Sequence, residues 1–311
     1  MRKGHASQGL VIVAFVAIYF IWGTTYLANL FALEGIPPFI ISCIRYLVAG
    51  LILMAWAKTR SAPLPGWKSI KVLCVSGILM LVGGSGLIVY AEQYVNSGYA
   101  AVLVATEPLW FVLLDRKRWQ EYFSNRVVLG GLILGFIGIA LFACLTPIDK
   151  SHPIDKTWVI VGTVIVLASA ILWVLGTLYS NKRKEVGSSN IMNASIQLLA
   201  AGLFSGFVAL AKGEWIGFSF SAVPVNAWSG LLYLIGLGSV LAYLAFTWLV
   251  TVQPPAIVST HTFVNPLVAI FTGWLIAGEH VTSKQSIGLV LAFAGVILTQ
   301  VGKNKKTKSL A

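Results

Sequence analysis

Long apolar runs, each close to the length that crosses a membrane, alternate with short polar connections along almost the whole chain. A bilayer core of about 30 Å needs roughly 20 consecutive apolar residues in a helix. Glycine, proline and charged residues mark the ends of the runs. The pattern therefore predicts an all-α polytopic membrane protein with ten spans, at 10–31, 38–57, 70–91, 97–114, 127–146, 158–180, 190–211, 228–251, 257–277 and 284–302.

The two halves of the chain carry the same polar marks inside their apolar runs. Glu107-Pro108-Leu109 in the fourth span matches Asn265-Pro266-Leu267 in the ninth, 158 positions later, and Glu121 matches Glu279 at the same offset. Because each half has an odd number of spans, the second half enters the membrane from the opposite side. We expect two inverted five-helix repeats, at 10–146 and 158–302, followed by a basic cytoplasmic tail at 303–311.

The distribution of charge sets the expected orientation. Of the 311 residues, 58% are hydrophobic and 10% charged, and the formal net charge is +12. Most of the 22 lysine and arginine residues fall on one side if the N-terminus is cytoplasmic. Short cytoplasmic loops are enriched in these residues, so both termini are expected in the cytoplasm, and the positive charge does not indicate a nucleic-acid partner. The three cysteines lie in or beside apolar runs without a CxxC pair, which excludes a disulfide framework.

Two charged residues fall in the middle of apolar runs, Glu107 in the fourth span and Arg45 in the second. A charge at this depth costs roughly 2.5 to 3.5 kcal/mol on insertion scales and rarely faces lipid. Glu107 is therefore expected to be a protonatable carboxylate in a central cavity. A structural role beside Arg45, or beside the backbone that Pro108 frees, is the alternative. The second half has only Gln197 and Asn265 at the matching places, so we expect an asymmetric site.

His261 and Asn265 are four residues apart and share one helix face. With Glu107 they could bind a zwitterion or relay a proton, and a packing role for His261 is the alternative. No HExxH motif or second histidine at ligand spacing is present, so neither a metal nor a cofactor is expected. Aromatic residues within the spans are expected to form the apolar wall of the cavity. Together with Arg45 and Gln197, the expected substrate-binding residues are Glu107, His261, Asn265, Trp22, Tyr26, Tyr99, Trp110, Trp173, Tyr179 and Tyr243.

Small residues recur at helical spacing in the last span of each half, as Gly131-xxx-Gly135 and Gly288-xxx-Ala292. Such spacing lets two helix backbones approach closely in a membrane. The partner helix can belong to the same bundle or to a second protomer, so a homodimer is one of two expectations.

These features together resemble the EamA family of the drug/metabolite transporter superfamily over residues 10–302. The resemblance rests on Trp22-Gly23-Thr24, on the Glu107-Pro108 and Asn265-Pro266 elements, and on Gly278-Glu279-xxx-Thr282 before a glycine-rich last span. One departure is Gln120-Glu121, where the family usually has Gly-Glu after the fourth span. The resemblance implies a bacterial inner-membrane carrier with a cavity between two repeats, often an exporter of amino acids or related metabolites.

We therefore expect a secondary transporter of the plasma membrane rather than an enzyme. Its expected partners are a small-molecule substrate and the lipid bilayer, and its expected mechanism is alternating access around a site at the midplane. The alternative is a flippase for lipids or lipid-linked sugars on the same fold. An integral membrane transferase is the remaining alternative, but it would need acids, histidines or a metal site clustered at one interface, and the sequence has no such cluster.

Overall fold

A computed structural model describes residues 7–116, 119–145, 155–182, 189–253, 258–259, 261–278 and 282–309. Glu279, the predicted counterpart of Glu121, lies outside these ranges, as do several of the basic residues that set the predicted orientation, Lys117, Arg118, Arg183 and Lys184 among them. All regular elements in the described ranges are helical. The expectation of an all-α chain is confirmed.

Ten long helices account for most of the described residues, and we number them α1 to α10 in chain order. Seven of those helices are long and apolar enough to cross a membrane, and shorter apolar stretches occupy α5, α9 and α10. A short helix, Trp119–Phe123, precedes α5, and a 3-10 turn, Phe220–Ala222, precedes α8. The bounds are α1 Gln8–Leu33, α2 Pro38–Thr59, α3 Trp67–Ala91, α4 Ser97–Leu114, α5 Arg126–Leu145, α6 Lys156–Lys182, α7 Asn190–Ala211, α8 Val225–Val252, α9 His261–Ala277 and α10 Ser283–Ser309.

The helix α4 is interrupted immediately before its proline. Its two parts, Ser97–Val104 and Glu107–Leu114, are separated by a two-residue turn. Pro108 has no N–H to donate, and its ring excludes a regular bond to the preceding turn. The break in the helix leaves carbonyls without their usual backbone donors. One of them, the Leu103 carbonyl, accepts a hydrogen bond from the Thr106 hydroxyl at 2.7 Å. The proline thus places the start of a second half-helix, and Glu107 with it, inside the bundle.

Two helices contain π-helical segments at equivalent places in the two halves. Residues Ile78–Gly86 of α3 and Leu234–Ala242 of α8 are each nine residues long. Both segments are rich in glycine, which tolerates the close backbone approach and altered geometry found there. Extended π-helical turns are rare and are frequently found at functional sites. The sequence pattern alone did not predict them.

The helix pairs α2–α7 and α5–α10 pack with little space between their backbones. A Cβ atom on Gly50 of α2 would meet Leu199 of α7, and one on Gly202 of α7 would meet Leu47 of α2. Each helix therefore has a glycine at the point where the other helix comes closest. In the α5–α10 pair, a Cβ on Gly138 would meet the backbone of Ala292, and one on Gly288 would meet Phe142. The predicted small-residue faces therefore pack against each other within the chain.

One further set of helix contacts has a counterpart in the other half. Helix α1 packs against α8 and α9, whereas α6 packs against α3 and α4. Many outward-facing side chains are apolar, such as Leu203, Phe207 and Leu210 of α7. Helices that are apolar on both the packed and the outward face suit a lipid environment. The remaining inward faces surround a cavity near the centre of the bundle.

Candidate functional site

A central cavity lies where seven of the ten long helices meet, and helices α5, α7 and α10 contribute no lining residue. The two π-helical segments supply part of its wall, through Ser85 and Gly84 on one side and Ser239 and Gly238 on the other. Eight of the expected substrate-binding residues line this cavity: Trp22, Tyr26, Arg45, Glu107, Trp173, Tyr243, His261 and Asn265.

Arg45 and Glu107 bring a guanidinium and a carboxyl group to the same cavity, and the two groups do not form an ion pair with each other. The guanidinium of Arg45 donates from Nε to Ser239 Oγ at 2.6 Å, a contact from the first half to the second. Its terminal nitrogens have no protein acceptor among the described residues. Glu107 is 4% exposed, and its Oε2 is buried without a hydrogen-bond donor in that part of the chain. Buried polar atoms are usually paired, so both groups remain available to a solute.

His261 and Asn265 form a hydrogen-bonded pair at the start of α9. In the amide orientation that satisfies both ends of Asn265, its oxygen accepts from His261 Nδ1 at 3.2 Å. Its nitrogen donates to the Tyr19 carbonyl at 3.0 Å, which ties α9 to α1. With the proton on Nδ1, His261 presents Nε2 as an acceptor. That atom is buried and has no partner among the described residues.

Aromatic rings form one continuous wall of the cavity. Trp22 lies edge-on to Trp173 with ring centroids 5.5 Å apart, and Phe246 packs against both at 5.1 and 5.4 Å. His261 packs edge-on against Trp22 at 4.9 Å. The Trp22 indole donates to the Gly238 carbonyl at 3.2 Å, which fixes the ring against the second π-helical segment. Faces of tryptophan attract cations as well as apolar groups.

Four expected residues lie outside the central cavity. Gln197 lines a neighbouring pocket and accepts a hydrogen bond from Tyr243 at 2.9 Å. Tyr99 is buried in an apolar cluster beside the cavity, where its hydroxyl bonds Thr163 at 3.0 Å. Trp110 donates to Thr106 at 3.0 Å beside the break in α4. Tyr179 is half-buried near the end of α6 and lines neither the central cavity nor the neighbouring pocket.

Several polar lining residues were not expected from the sequence, namely Thr25, Asn29, Ser169 and Ser239. The sequence contained a signal for Asn29, because burial of an amide deep in an apolar run is costly, as is burial of the carboxyl group of Glu107. Its Oδ1 is buried without a partner among the described residues. Serine and threonine are ordinary in membrane helices, where they bond their own backbone or a neighbouring helix, so no signal distinguished Ser169 or Ser239.

Within the described ranges, no group of three or more histidine, cysteine, aspartate or glutamate side chains could hold a metal ion. The cavity instead offers one cation, one carboxylate, unpaired acceptors and an aromatic wall. This chemistry suits reversible binding of a small polar solute.

The bundle of apolar helices around a central cavity that holds an arginine and a glutamate defines the class of protein, which is a multi-pass membrane transporter. The sequence matches the EamA-like transporter family over residues 9–144 and again over 160–301. The chain belongs to that family, and it is a multi-pass protein of the inner membrane. The expected resemblance is confirmed.

Individual relatives agree with this assignment. The chain is 30% identical over 293 residues to "Uncharacterized inner membrane transporter YedA" of Escherichia coli K12, covering 93% of this chain and 90% of the relative. It is 28% identical over 319 residues to "Uncharacterized transporter YvbV" of Bacillus subtilis 168, covering 100% and 97%. It is 26% identical to "Protein PecM" of Dickeya dadantii, covering 93% of each chain.

A solved crystal structure also resembles the fold, with a TM-score of 0.65 over 96% of this chain and 99% of the other. The sequence identity between the two is 16%, so this similarity concerns the fold alone.

Proposed function

We propose that the protein is a secondary transporter that moves a small zwitterionic metabolite through the central cavity by alternating access. Export of amino acids or related compounds is the transport direction and substrate class that we favour. The observation that carries the proposal is the cavity itself, where Arg45 and Glu107 are buried, unpaired with each other and surrounded by aromatic rings. A carboxylate could bind the guanidinium of Arg45, and an ammonium could bind Glu107 and the tryptophan faces.

The proposal includes ten crossings arranged as two inverted five-helix repeats, residues 10–146 and 158–302, with both termini in the cytoplasm. If each helix is exchanged for its counterpart in the other half, the contacts of α1 with α8 and α9 become the contacts of α6 with α3 and α4. The same exchange leaves the α2–α7 and α5–α10 pairs unchanged. The family match also occurs twice, once in each half. In transporters of this kind, rocking of one repeat against the other exposes a fixed midplane site alternately to each side.

A homodimer remains a separate proposal. The glycine faces of α5 and α10 contact each other inside the chain, so a second protomer would bind through the lipid-facing surfaces instead.

The direct test is flux of radiolabelled amino acids in proteoliposomes containing purified protein. We expect wild type to exchange at least one zwitterionic amino acid, and Glu107→Gln to lose most of the flux or its pH dependence. Glu34→Gln is the matched control, because Glu34 is an exposed residue outside the cavity and undergoes the same chemical change. We expect it to transport as wild type does.

One result would contradict the transport proposal, and another would contradict only the role of Glu107. Absence of flux for all zwitterions, with scrambling of labelled lipids or lipid-linked sugars by the same preparation, would favour the flippase alternative. Unchanged rate and pH dependence in Glu107→Gln would remove this carboxylate from the mechanism while leaving the transporter in place.

A further inference from the structure

A second pocket lies beside the central cavity, and we name it the vestibule. It is formed by the start of α3, the end of α6, the start of α7 and the end of α8. Its polar lining consists of amides and hydroxyls, and none of its lining residues carries a charge. The polar residues include Ser69, Thr177, Ser180, Asn181, Asn193 and Thr247.

A thin layer of side chains separates the vestibule from the central cavity. Tyr243 lines the cavity, and its hydroxyl donates to Gln197 Oε1 at 2.9 Å. Gln197 lines the vestibule, and its Nε2 donates to Ser76 Oγ at 2.9 Å. Phe246 also lines the vestibule, and its ring packs against Trp22 and Trp173 of the cavity wall. The chain Tyr243–Gln197–Ser76 joins α8, α7 and α3, and all three side chains are buried.

The layer coincides with a change in helix geometry. Tyr243 is the first residue after the π-helical segment of α8, whose Gly238 and Ser239 line the cavity. Met80, on the vestibule side, belongs to the π-helical segment of α3. A π-helical turn holds one extra residue relative to an α-helix and often marks a functional site. Movement at either segment would therefore shift the residues that separate the two spaces.

We propose that the vestibule is a second solute-binding site on the cytoplasmic side, and that the Tyr243–Gln197–Ser76 chain is the partition between it and the central cavity. The inference rests on the proposed transport function and orientation. The uncharged amide and hydroxyl lining suits a neutral or zwitterionic hydrogen-bonding solute, because a net charge would find no counter-charge there. Selection by charge then belongs to Arg45 and Glu107, on the far side of the partition.

The experiment is thiol labelling in a background without native cysteines, made by Cys43→Ala, Cys74→Ala and Cys144→Ala. Ser180→Cys reports on the vestibule, and Ser85→Cys reports on the central cavity. A membrane-impermeant methanethiosulfonate is applied to right-side-out and inside-out vesicles. We expect rapid labelling of Ser180→Cys from the cytoplasmic side only, and slow labelling of Ser85→Cys from that side.

Tyr243→Phe then tests the partition, because it removes one hydroxyl and keeps the ring. Loss of a neutral hydrogen bond corresponds to roughly a fivefold change in an equilibrium, so we expect about fivefold faster cytoplasmic labelling of Ser85→Cys. Tyr99→Phe is the matched control. Tyr99 is also buried and its hydroxyl bonds Thr163 at 3.0 Å, but it lines neither space and its partner lies outside both π-helical segments. It should leave the labelling rate unchanged.

The outcome distinguishes this inference from the proposed transport. Equal labelling of Ser85→Cys in wild type, Tyr243→Phe and Tyr99→Phe would overturn the partition. Absence of cytoplasmic labelling at Ser180→Cys would overturn the vestibule. Labelling requires no transported solute, so the expected labelling pattern without flux in proteoliposomes would retain the two connected spaces and reject the transport proposal alone.

Discussion

Arg45 and Glu107 are both buried ionisable residues, but they differ in their hydrogen-bond partners. Both charges were found in the sequence because burial of a charge in a membrane is costly. Arg45 is anchored by Ser239 from the other half, whereas Glu107 Oε2 has no donor among the described residues. The contact between Ser239 and Arg45 can be identified only in the folded chain, because the two residues are 194 positions apart.

Replacement of Arg45 by Gln is expected to reduce transport strongly. The substitution removes the cavity's positive charge and a short hydrogen bond between the two halves. Hydrogen bonds to charged groups contribute about 1.5 to 3 kcal/mol, so we expect roughly a tenfold to hundredfold loss of flux in proteoliposomes. Arg60→Gln, at the exposed end of α2, is the matched control and should transport normally. Equal flux in both variants would exclude Arg45 from solute binding.

At the scale of the helix, the α5–α10 pair shows where space is absent. Gly138 faces the backbone of Ala292, and Gly295 faces Gly135, so side chains cannot enter between the two helices. Gly130 lies on the same helix α5 but faces outward, where an added Cβ meets no atom within 4 Å. A comparison of alanine substitutions at Gly138 and Gly130 therefore separates the effect on packing from the effect on helix propensity.

Gly138→Ala is expected to destabilise the protein, whereas Gly130→Ala is expected to be neutral or slightly stabilising. Overpacking of a tight interface costs about 1 to 3 kcal/mol, while alanine in place of glycine favours a helix by up to about 1 kcal/mol. Thermal unfolding of the two variants in the same detergent measures the difference. Equal midpoints would show that the α5–α10 contact is looser than described.

The N-terminus of α2 is bonded by a residue that follows α7. Glu214 Oε2 accepts hydrogen bonds from the backbone nitrogens of Phe39 at 2.9 Å and Ile40 at 3.2 Å. These bonds and nearby Lys212 lower the pKa of Glu214, but burial has the larger effect and raises it above the ordinary value. A carboxyl whose pKa is raised by folding stabilises the protein when protonated, and this contribution is lost as pH rises through the folded-state pKa.

Wild type is therefore expected to gain stability relative to Glu214→Gln as the pH falls from 7 towards 4.5, because only wild type has this titrating group. Thermal unfolding of both proteins across that pH range measures the effect. Glu34→Gln serves as the control for the loss of one carboxylate at an exposed site. A difference between wild type and Glu214→Gln that does not depend on pH would contradict a raised pKa for Glu214.

At the scale of the whole molecule, the contacts of α1 with α8 and α9 correspond to those of α6 with α3 and α4 when the halves are exchanged. An odd number of crossings in each half would place the equivalent ends of the two halves on opposite sides of the membrane. The connection after α5 would then lie outside and the C-terminus inside. Asp155, an exposed residue in that connection, provides a site to test this.

A C-terminal fusion to green fluorescent protein is expected to fluoresce, and a fusion of alkaline phosphatase to a chain truncated after Asp155 is expected to be active. Green fluorescent protein folds in the cytoplasm, and alkaline phosphatase needs the oxidising periplasm to form its disulfides. The reciprocal fusions should both be inactive. Activity of alkaline phosphatase at the C-terminus would exclude an even number of crossings that starts in the cytoplasm.

The sequence by itself determined the helices, the membrane environment and the residues whose burial needs an explanation. Bilayer-length apolar runs and charges in the middle of a span are properties of a single helix. They can therefore be recognised without knowing which helices pack against it. The family also followed from short motifs such as Glu107-Pro108 and Asn265-Pro266.

The tertiary structure decided which faces meet. Tyr26 lines the cavity and Tyr99 does not, although both are buried tyrosines in apolar helices. It also decided the π-helical segments and the internal pairing of α5 with α10. In a soluble protein, polar faces would reveal orientation through their periodicity. Here lipid and protein both accept apolar side chains, so the sequence carries little information on which side of a helix faces the cavity.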